Sequence, residues 1–230
     1  GLDLHVLVVD DGSVPPIVLD PLALRQWPAI REVTILRLSV NAGHQRALAV
    51  GLAEIARLPG VELVVVMDCD GEDRPRDIPR LLAEYQRDPC SAVVAHRTKR
   101  SEGLAFRLGY TAFKLFHRLL TGQGISFGNF KLLDATAVHT LINRPELWHS
   151  LPGTLLRARI VHHLLSTERG LRYCGSSRMN FAGLILHGLA SISVFGDYAL
   201  VRALMFTLVL TALAGAGVII VIGLRLFTPY

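Results

Sequence analysis

The 22 residues from Ala203 to Leu224, ALMFTLVLTALAGAGVIIVIGL, carry no charge. As a helix they would span about 33 Å, enough for a hydrocarbon core of ~30 Å. Arg202 and Arg225 bracket the run and suit the two interfaces of a bilayer. A soluble helix of this length would keep a polar face, and this one has none, so the segment reads as a transmembrane helix. The small run Ala214-Gly215-Ala216-Gly217 would admit a second helix at close range and allows a homo-oligomer through the span. One arginine at each end leaves the orientation open.

Upstream of the span, Phe181, Leu184, Ile185, Leu189, Ile192 and Phe195 recur at helical spacing. They would suit a core-facing helix, or an amphipathic helix lying in the headgroup region, and the position just before a span favours the second. The expected organisation is a catalytic domain over residues 1–179, an interfacial helix over 180–197, and the membrane helix with the chain end over 198–230.

Composition narrows the classes. Hydrophobic residues make up 51% and the mean hydropathy is +0.40, which excludes a disordered chain. Cys69, Cys90 and Cys174 are odd in number and far apart, so a disulfide framework is excluded and a reducing compartment is expected. A net charge of +5 suits anionic substrates or lipid headgroups, and no nucleic-acid partner is expected.

The rest of the chain alternates two patterns. Apolar runs at Leu4–Asp10, Val33–Leu38, Val61–Met67 and Ser91–Ala95 read as strands. Stretches at about His44–Leu58, Ile78–Arg87 and Leu104–Leu120 read as helices. Continuous apolar strands separated by helices predict an α/β fold, a mostly parallel sheet with helices on both faces. Ligands of such sheets bind beyond the carboxyl ends of the strands.

Two acidic turns fall at such ends. Asp68, Asp70, Glu72 and Asp73 follow the third strand, and Asp10-Asp11-Gly12-Ser13 follows the first. Carboxylates crowded this closely repel, and a hard divalent cation relieves the repulsion. Mg²⁺ or Mn²⁺ commonly takes one or two carboxylates plus phosphate oxygens. Asp68, Asp70 and Glu72 are the expected metal ligands, although a solvated acidic turn would look the same. Asp10, Asp11, Ser13 and Asp68 are expected to bind a nucleotide, since an Asp carboxylate accepts hydrogen bonds from a base N–H or a ribose hydroxyl.

Taken in order, VVDDGS (8–13), NAGHQRALAVGL (41–52) and VVMDCDGEDRP (65–75) resemble inverting nucleotide-sugar glycosyltransferases of the GT-A fold. AHRTKRSEG (95–103), FGNFKLLD (127–134) and GSSRMNF (175–181) resemble one branch of them, the polyprenyl-phosphate glycosyltransferases. The resemblance covers roughly residues 4–195. It departs from the family pattern in three ways: no Pro-x-Tyr-Asn-Glu strand precedes Leu4, Glu72 stands where relatives often have Gln, and one membrane helix takes the place of two or more. The first and third read as a chain cut at both ends.

The resemblance implies transfer of a sugar from a nucleotide-sugar donor to a polyprenyl phosphate, with inversion, at a bacterial inner membrane with the catalytic domain in the cytoplasm. Asp70 and Arg107 would be catalytic. Arg97, Arg100, Arg107, Ser177 and Arg178 would bind the acceptor phosphate, since guanidinium pairs bidentately with it. Arg97 and Arg100 could also be solvated surface charges, and Arg107 could merely snorkel from an amphipathic helix. A hydroxyl acceptor, or a non-catalytic nucleotide-binding module, remains open; no Gln-x-x-Arg-Trp motif of processive synthases is present. Glu168 would be a base for a hydroxyl acceptor, with nothing around it in sequence to support that role. His162-His163 lack partners at zinc-ligand spacing.

Overall fold

The computed structural model describes residues 3–20, 27–97, 104–124, 127–173 and 181–228. They fall into two compact units, residues 1–102 with 125–194, and residues 103–124 with 195–230.

The first unit is the α/β body. Strands β1 (Leu4–Asp10) and β2 (Ile30–Arg37) pair in parallel and form a two-stranded sheet. A second sheet has the order β3 (Leu63–Val66), β5 (Lys131–Asp134), β4 (Ala92–Arg97), β6 (His162–Thr167). β4 and β6 are parallel, while β5 runs antiparallel to both of its neighbours. β5 and β6 are absent from the sequence-based strand list because neither shows a long apolar run. KLLD is four residues opened by a lysine, and HHLLST is opened by two histidines.

Alternate residues of the second sheet point to opposite faces. Val64, Val66, Leu133, Ala92 and Val94 meet Leu52 of α1 (His44–Ile55), Val138 and Leu141 of α4 (Ala135–Ile142), and Leu151 and Leu155 of α5 (Leu151–Arg157). Val93, Ala95 and Leu132 meet Leu81 of α2 (Ile78–Arg87). Helices therefore cover both faces, which is why the strands are apolar on both sides. The bounds of α2 are those read from the sequence, and α1 stops three residues earlier than expected.

Local chemistry sets the helix starts. Asp134 Oδ1 accepts from the Ala137 N–H at 2.6 Å, and Ser150 Oγ accepts from the Gly153 N–H at 3.2 Å; both residues are N-caps. α1 begins at Gly43, whose φ of +90° suits glycine. It lies tight on β1, since a Cβ at Gly51 would come within 2.7 Å of Val9 Cγ2. α6 (Phe181–Ser193) groups with this unit. Arg157 donates to the Val194 carbonyl just beyond its end at 2.7 Å.

The second unit pairs α3 (Leu104–Thr121) with α7 (Gly196–Phe227). α7 has 32 residues, none buried, and is long and apolar enough to cross a membrane. The helix expected in the headgroup region thus groups with the α/β body, and α3 groups with the apolar helix.

Candidate active site

Both acidic turns sit at carboxyl ends of strands, and the structure gives their carboxylates different tasks. Beyond β1, Asp10 Oδ1 accepts from the Ser13 N–H at 2.9 Å. The Ser13 hydroxyl and N–H hold the buried Asp10 carboxyl below its ordinary range. The Asp11 carboxylate accepts from the N–H groups of Ala42 and Gly43 at 2.7 and 3.0 Å, tying the first loop to the start of α1. Gly12, at φ +73°, lies so close to this segment that a Cβ would sit 2.9 Å from the Asn41 nitrogen. Asp10 and Asp11 therefore shape the loop from which Ser13 is exposed.

Beyond β3 the chain turns through Asp68, Asp70, Glu72 and Asp73. Asp73 is buried and accepts from the Asp68 N–H at 2.9 Å, while Asp70 Oδ1 accepts from the Glu72 N–H at 2.9 Å. These bonds fix the turn before any ligand arrives.

A strap running 168–173 lies against this turn. The Gly170 N–H donates to the Glu72 carbonyl at 2.8 Å, and the Tyr173 N–H to the Asp70 carbonyl at 3.0 Å. Gly71, at φ +90°, sits beneath: a Cβ there would meet the Leu171 carbonyl at 2.7 Å. Arg169 and Arg172 donate to Glu72 Oε1 at 2.6 and 2.7 Å, and Arg172 also pairs with Asp70 Oδ2 at 2.9 Å. Burial alone would raise the Glu72 carboxyl, but the two guanidinium groups outweigh it and bring the pKa down to about 2.

The sequence groups Glu72 with Asp68 and Asp70 as a metal ligand; in this structure its carboxylate accepts from two arginines. Among the described residues no group of three His, Cys, Asp or Glu side chains is arranged to hold an ion. Asp68 and Asp70 remain a donor pair that fits a hard divalent ion completed by phosphate oxygens.

Around Asp68 lies a polar network that sequence reasoning missed. His44 Nε2 is 3.4 Å from Asp68 Oδ1 and 2.8 Å from Asn129 Nδ2. Gln45 donates to Asn129 Oδ1 at 3.2 Å and accepts from the Leu151 N–H at 2.8 Å. Lys131, first residue of β5, is fully buried with no hydrogen-bond partner for Nζ among the described residues, and Nζ lies 5.5 Å from the Phe127 ring centre. Burial pulls its pKa down to about 7 against the opposing charge of Asp68. Its signal was the lysine inside an apolar strand. The signal of Arg169 and Arg172 was a pair of cations ahead of the GSSR motif.

Glu168 pairs with Arg74 at 2.9 Å, which also pairs with buried Asp77 at 3.0 Å. Arg97 ends β4, and Arg107 lies in the first turn of α3. Arg100, Ser177 and Arg178 lie outside the described residues.

An α/β body with acidic turns at strand ends is the frame that the glycosyltransferase motifs lead one to expect. Residues 1–150 match the family model described as glycosyl transferase family 2, and the chain belongs to that family. It is 26% identical over 95% of its length to an uncharacterized glycosyltransferase, YkoT, of Bacillus subtilis, covering 65% of that protein. It is 27% identical over 76% of its length to the dodecaprenyl-phosphate galacturonate synthase of Rhizobium johnstonii, covering 53%. It is 24% identical over 93% of its length to the undecaprenyl-phosphate 4-deoxy-4-formamido-L-arabinose transferase of Erwinia tasmaniensis, covering 68%. The chain thus spans from half to two thirds of the length of these curated relatives.

Proposed function

We propose that this chain moves one sugar from a nucleotide-sugar donor to a polyprenyl phosphate in a bacterial inner membrane, with inversion and with the catalytic domain on the cytoplasmic side. The observation that carries the reading is the meeting, in one family 2 chain, of an acidic strand-end turn and an unburied 32-residue apolar helix. Two relatives named for polyprenyl-phosphate acceptors support it.

The loop shaped by Asp10 and Asp11, with Ser13 exposed on it, serves the nucleotide. Asp68 and Asp70 would hold Mg²⁺ or Mn²⁺, which when bound offsets charge on the departing diphosphate. Glu72 anchors the strap, so that Arg172 stands beside Asp70. The acceptor phosphate is already an anion near neutral pH and needs orientation rather than a base. Arg97, Arg100, Arg107, Ser177 and Arg178 are the groups assigned to it. Glu168, paired with Arg74, fits the absence of a base.

The test uses the chain in detergent with Mn²⁺, undecaprenyl phosphate and a panel of radiolabelled nucleotide sugars. Label in the lipid extract, lost in Asp70→Ala and Arg107→Ala, is the expected result. Label in a polymer or as free sugar would replace the lipid acceptor with a hydroxyl or water. Donor binding without turnover would leave a nucleotide-binding module.

A further inference from the structure

The hydrogen bonds that lead to His44 have a fixed direction. They start at the Leu151 N–H, the first amide of α5, which finds no acceptor within its own helix. A main-chain N–H only donates, so the Gln45 atom that meets it at 2.8 Å is Oε1, and the Gln45 nitrogen faces away. That nitrogen donates to Asn129 Oδ1 at 3.2 Å, which turns Asn129 Nδ2 toward His44. An amide nitrogen also only donates. His44 Nε2, 2.8 Å away, therefore accepts, and the ring carries its proton on Nδ1.

This direction decides what His44 offers at Asp68. Nε2 lies 3.4 Å from Asp68 Oδ1. With its lone pair turned to Asn129 it has no proton to give, so this contact does not neutralise the carboxylate. The Nδ1–H meets no acceptor among the described residues, on a side chain that is 54% exposed. A second donor stands near the same carboxylate. Lys131 is fully buried and feels the charge of Asp68, and its Nζ has no hydrogen-bond partner among the described residues. Two donors without acceptors, one from α1 and one from β5, thus accompany the acidic turn beyond β3.

We propose that His44 is a substrate-binding residue whose Nδ1–H donates to a phosphate oxygen placed beside Asp68, and that Gln45 and Asn129 are positioning residues that set the ring for it. A ring oriented in advance loses less freedom when the phosphate arrives. Lys131 supplies buried positive charge to the same place. The proposal rests on the reading of the acidic turn as the place where nucleotide sugar and acceptor meet. The phosphate belongs to the donor diphosphate or to the lipid acceptor, and the experiment separates the two.

The full chain in detergent, with nitrogen-15 in its histidines, reports the proton directly, and His44→Asn identifies the His44 signals by their loss. The proton is expected on Nδ1, and the Nδ1 signal is expected to move when inorganic pyrophosphate is added with Mg²⁺. In calorimetry, His44→Phe is expected to weaken pyrophosphate about tenfold or more, while His44→Asn, whose amide N–H replaces Nδ1–H, stays within about threefold of the parent. Asn129→Leu is expected to spread the proton over both ring nitrogens and to weaken the same probe. The same pattern with undecaprenyl phosphate in place of pyrophosphate would make the acceptor the source and support the proposal. A proton on Nε2 in the parent chain would overturn it without recourse to a variant. Equal losses in His44→Asn and His44→Phe would assign the effect to ring packing and overturn it. Unchanged affinity for both probes in His44→Phe would overturn it and keep the acidic turn as a phosphate site. Binding of neither probe to the parent would overturn both.

Discussion

Arg172 Nε donates to Glu72 Oε1 at 2.7 Å across 100 positions of sequence, and the same oxygen accepts from Arg169. A buried carboxylate held by two guanidinium groups is a structural tie between the acidic turn and the strap over it.

The tie has a pH signature. The pKa of Glu72 is about 2 in the folded chain against 4.5 when unfolded, so its stabilisation is complete above pH 4.5 and lost as pH falls toward 2. The amount is on the order of 3 kcal/mol. In denaturant titrations between pH 6 and 3, Glu72→Gln is expected to be less stable than the parent at pH 6 and to converge with it at low pH. Parallel curves would place the charge elsewhere.

Cation binding should separate the carboxylates that the sequence grouped. Calorimetric titration with Mn²⁺ is expected to show binding lost in Asp70→Asn and retained in Glu72→Gln. Arg172→Ala is expected to tighten binding several-fold, because it removes the positive charge paired with Asp70. Equal losses in Asp70→Asn and Glu72→Gln would restore Glu72 as a ligand.

Lys131 is a buried cation without a hydrogen bond among the described residues, and its charged form carries a cost on the order of 5 kcal/mol. Below pH 7 both folded and unfolded chains hold the proton and the full cost applies. Between about 7 and 10.5 the unfolded chain holds a proton that the folded chain has released, so stability rises with pH. Lys131→Met is expected to be more stable than the parent at pH 6.5 and to lose this slope. Denaturant midpoints at pH 6.5 and 9 read both effects.

Gly71 allows the strap to lie on the turn. Gly71→Ala combines a positive φ with a collision at the Leu171 carbonyl, and is expected to destabilise by about 1–3 kcal/mol. Hydrogen exchange at the Gly170 and Tyr173 amides should rise in that variant, since both bond across the displaced contact.

Much of this architecture was legible before the fold was known. Long apolar runs marked β1 and β3, helical spacing gave α2 its bounds, and the uncharged run marked α7. Strand-end position identified both acidic turns. What stayed hidden depended on contacts between distant segments. Arg169 and Arg172 are ordinary exposed-looking cations until the strap returns to residues 70–72, where both pair with Glu72. Likewise β5 opens with Lys131, a residue that argues against a buried strand when read alone. The grouping of α3 with α7 includes bonds from Arg202 to main-chain carbonyls, which no side-chain pattern announces.

The placement of β5 has a consequence for the order of assembly. β3 and β4 leave the ribosome early, yet they share no ladder with each other; residues 131–134 are inserted between them in the opposite direction, and β6, the other neighbour of β4, comes later still. The central sheet therefore cannot close until that strand has been synthesised, and its closure depends on long-range pairing. Lys131 opens that strand and Asn129 lies two residues ahead of it, so the surroundings of Asp68 are completed in the step that closes the sheet. A chain ending before residue 131 would hold the acidic turn without the neighbours that set its charge.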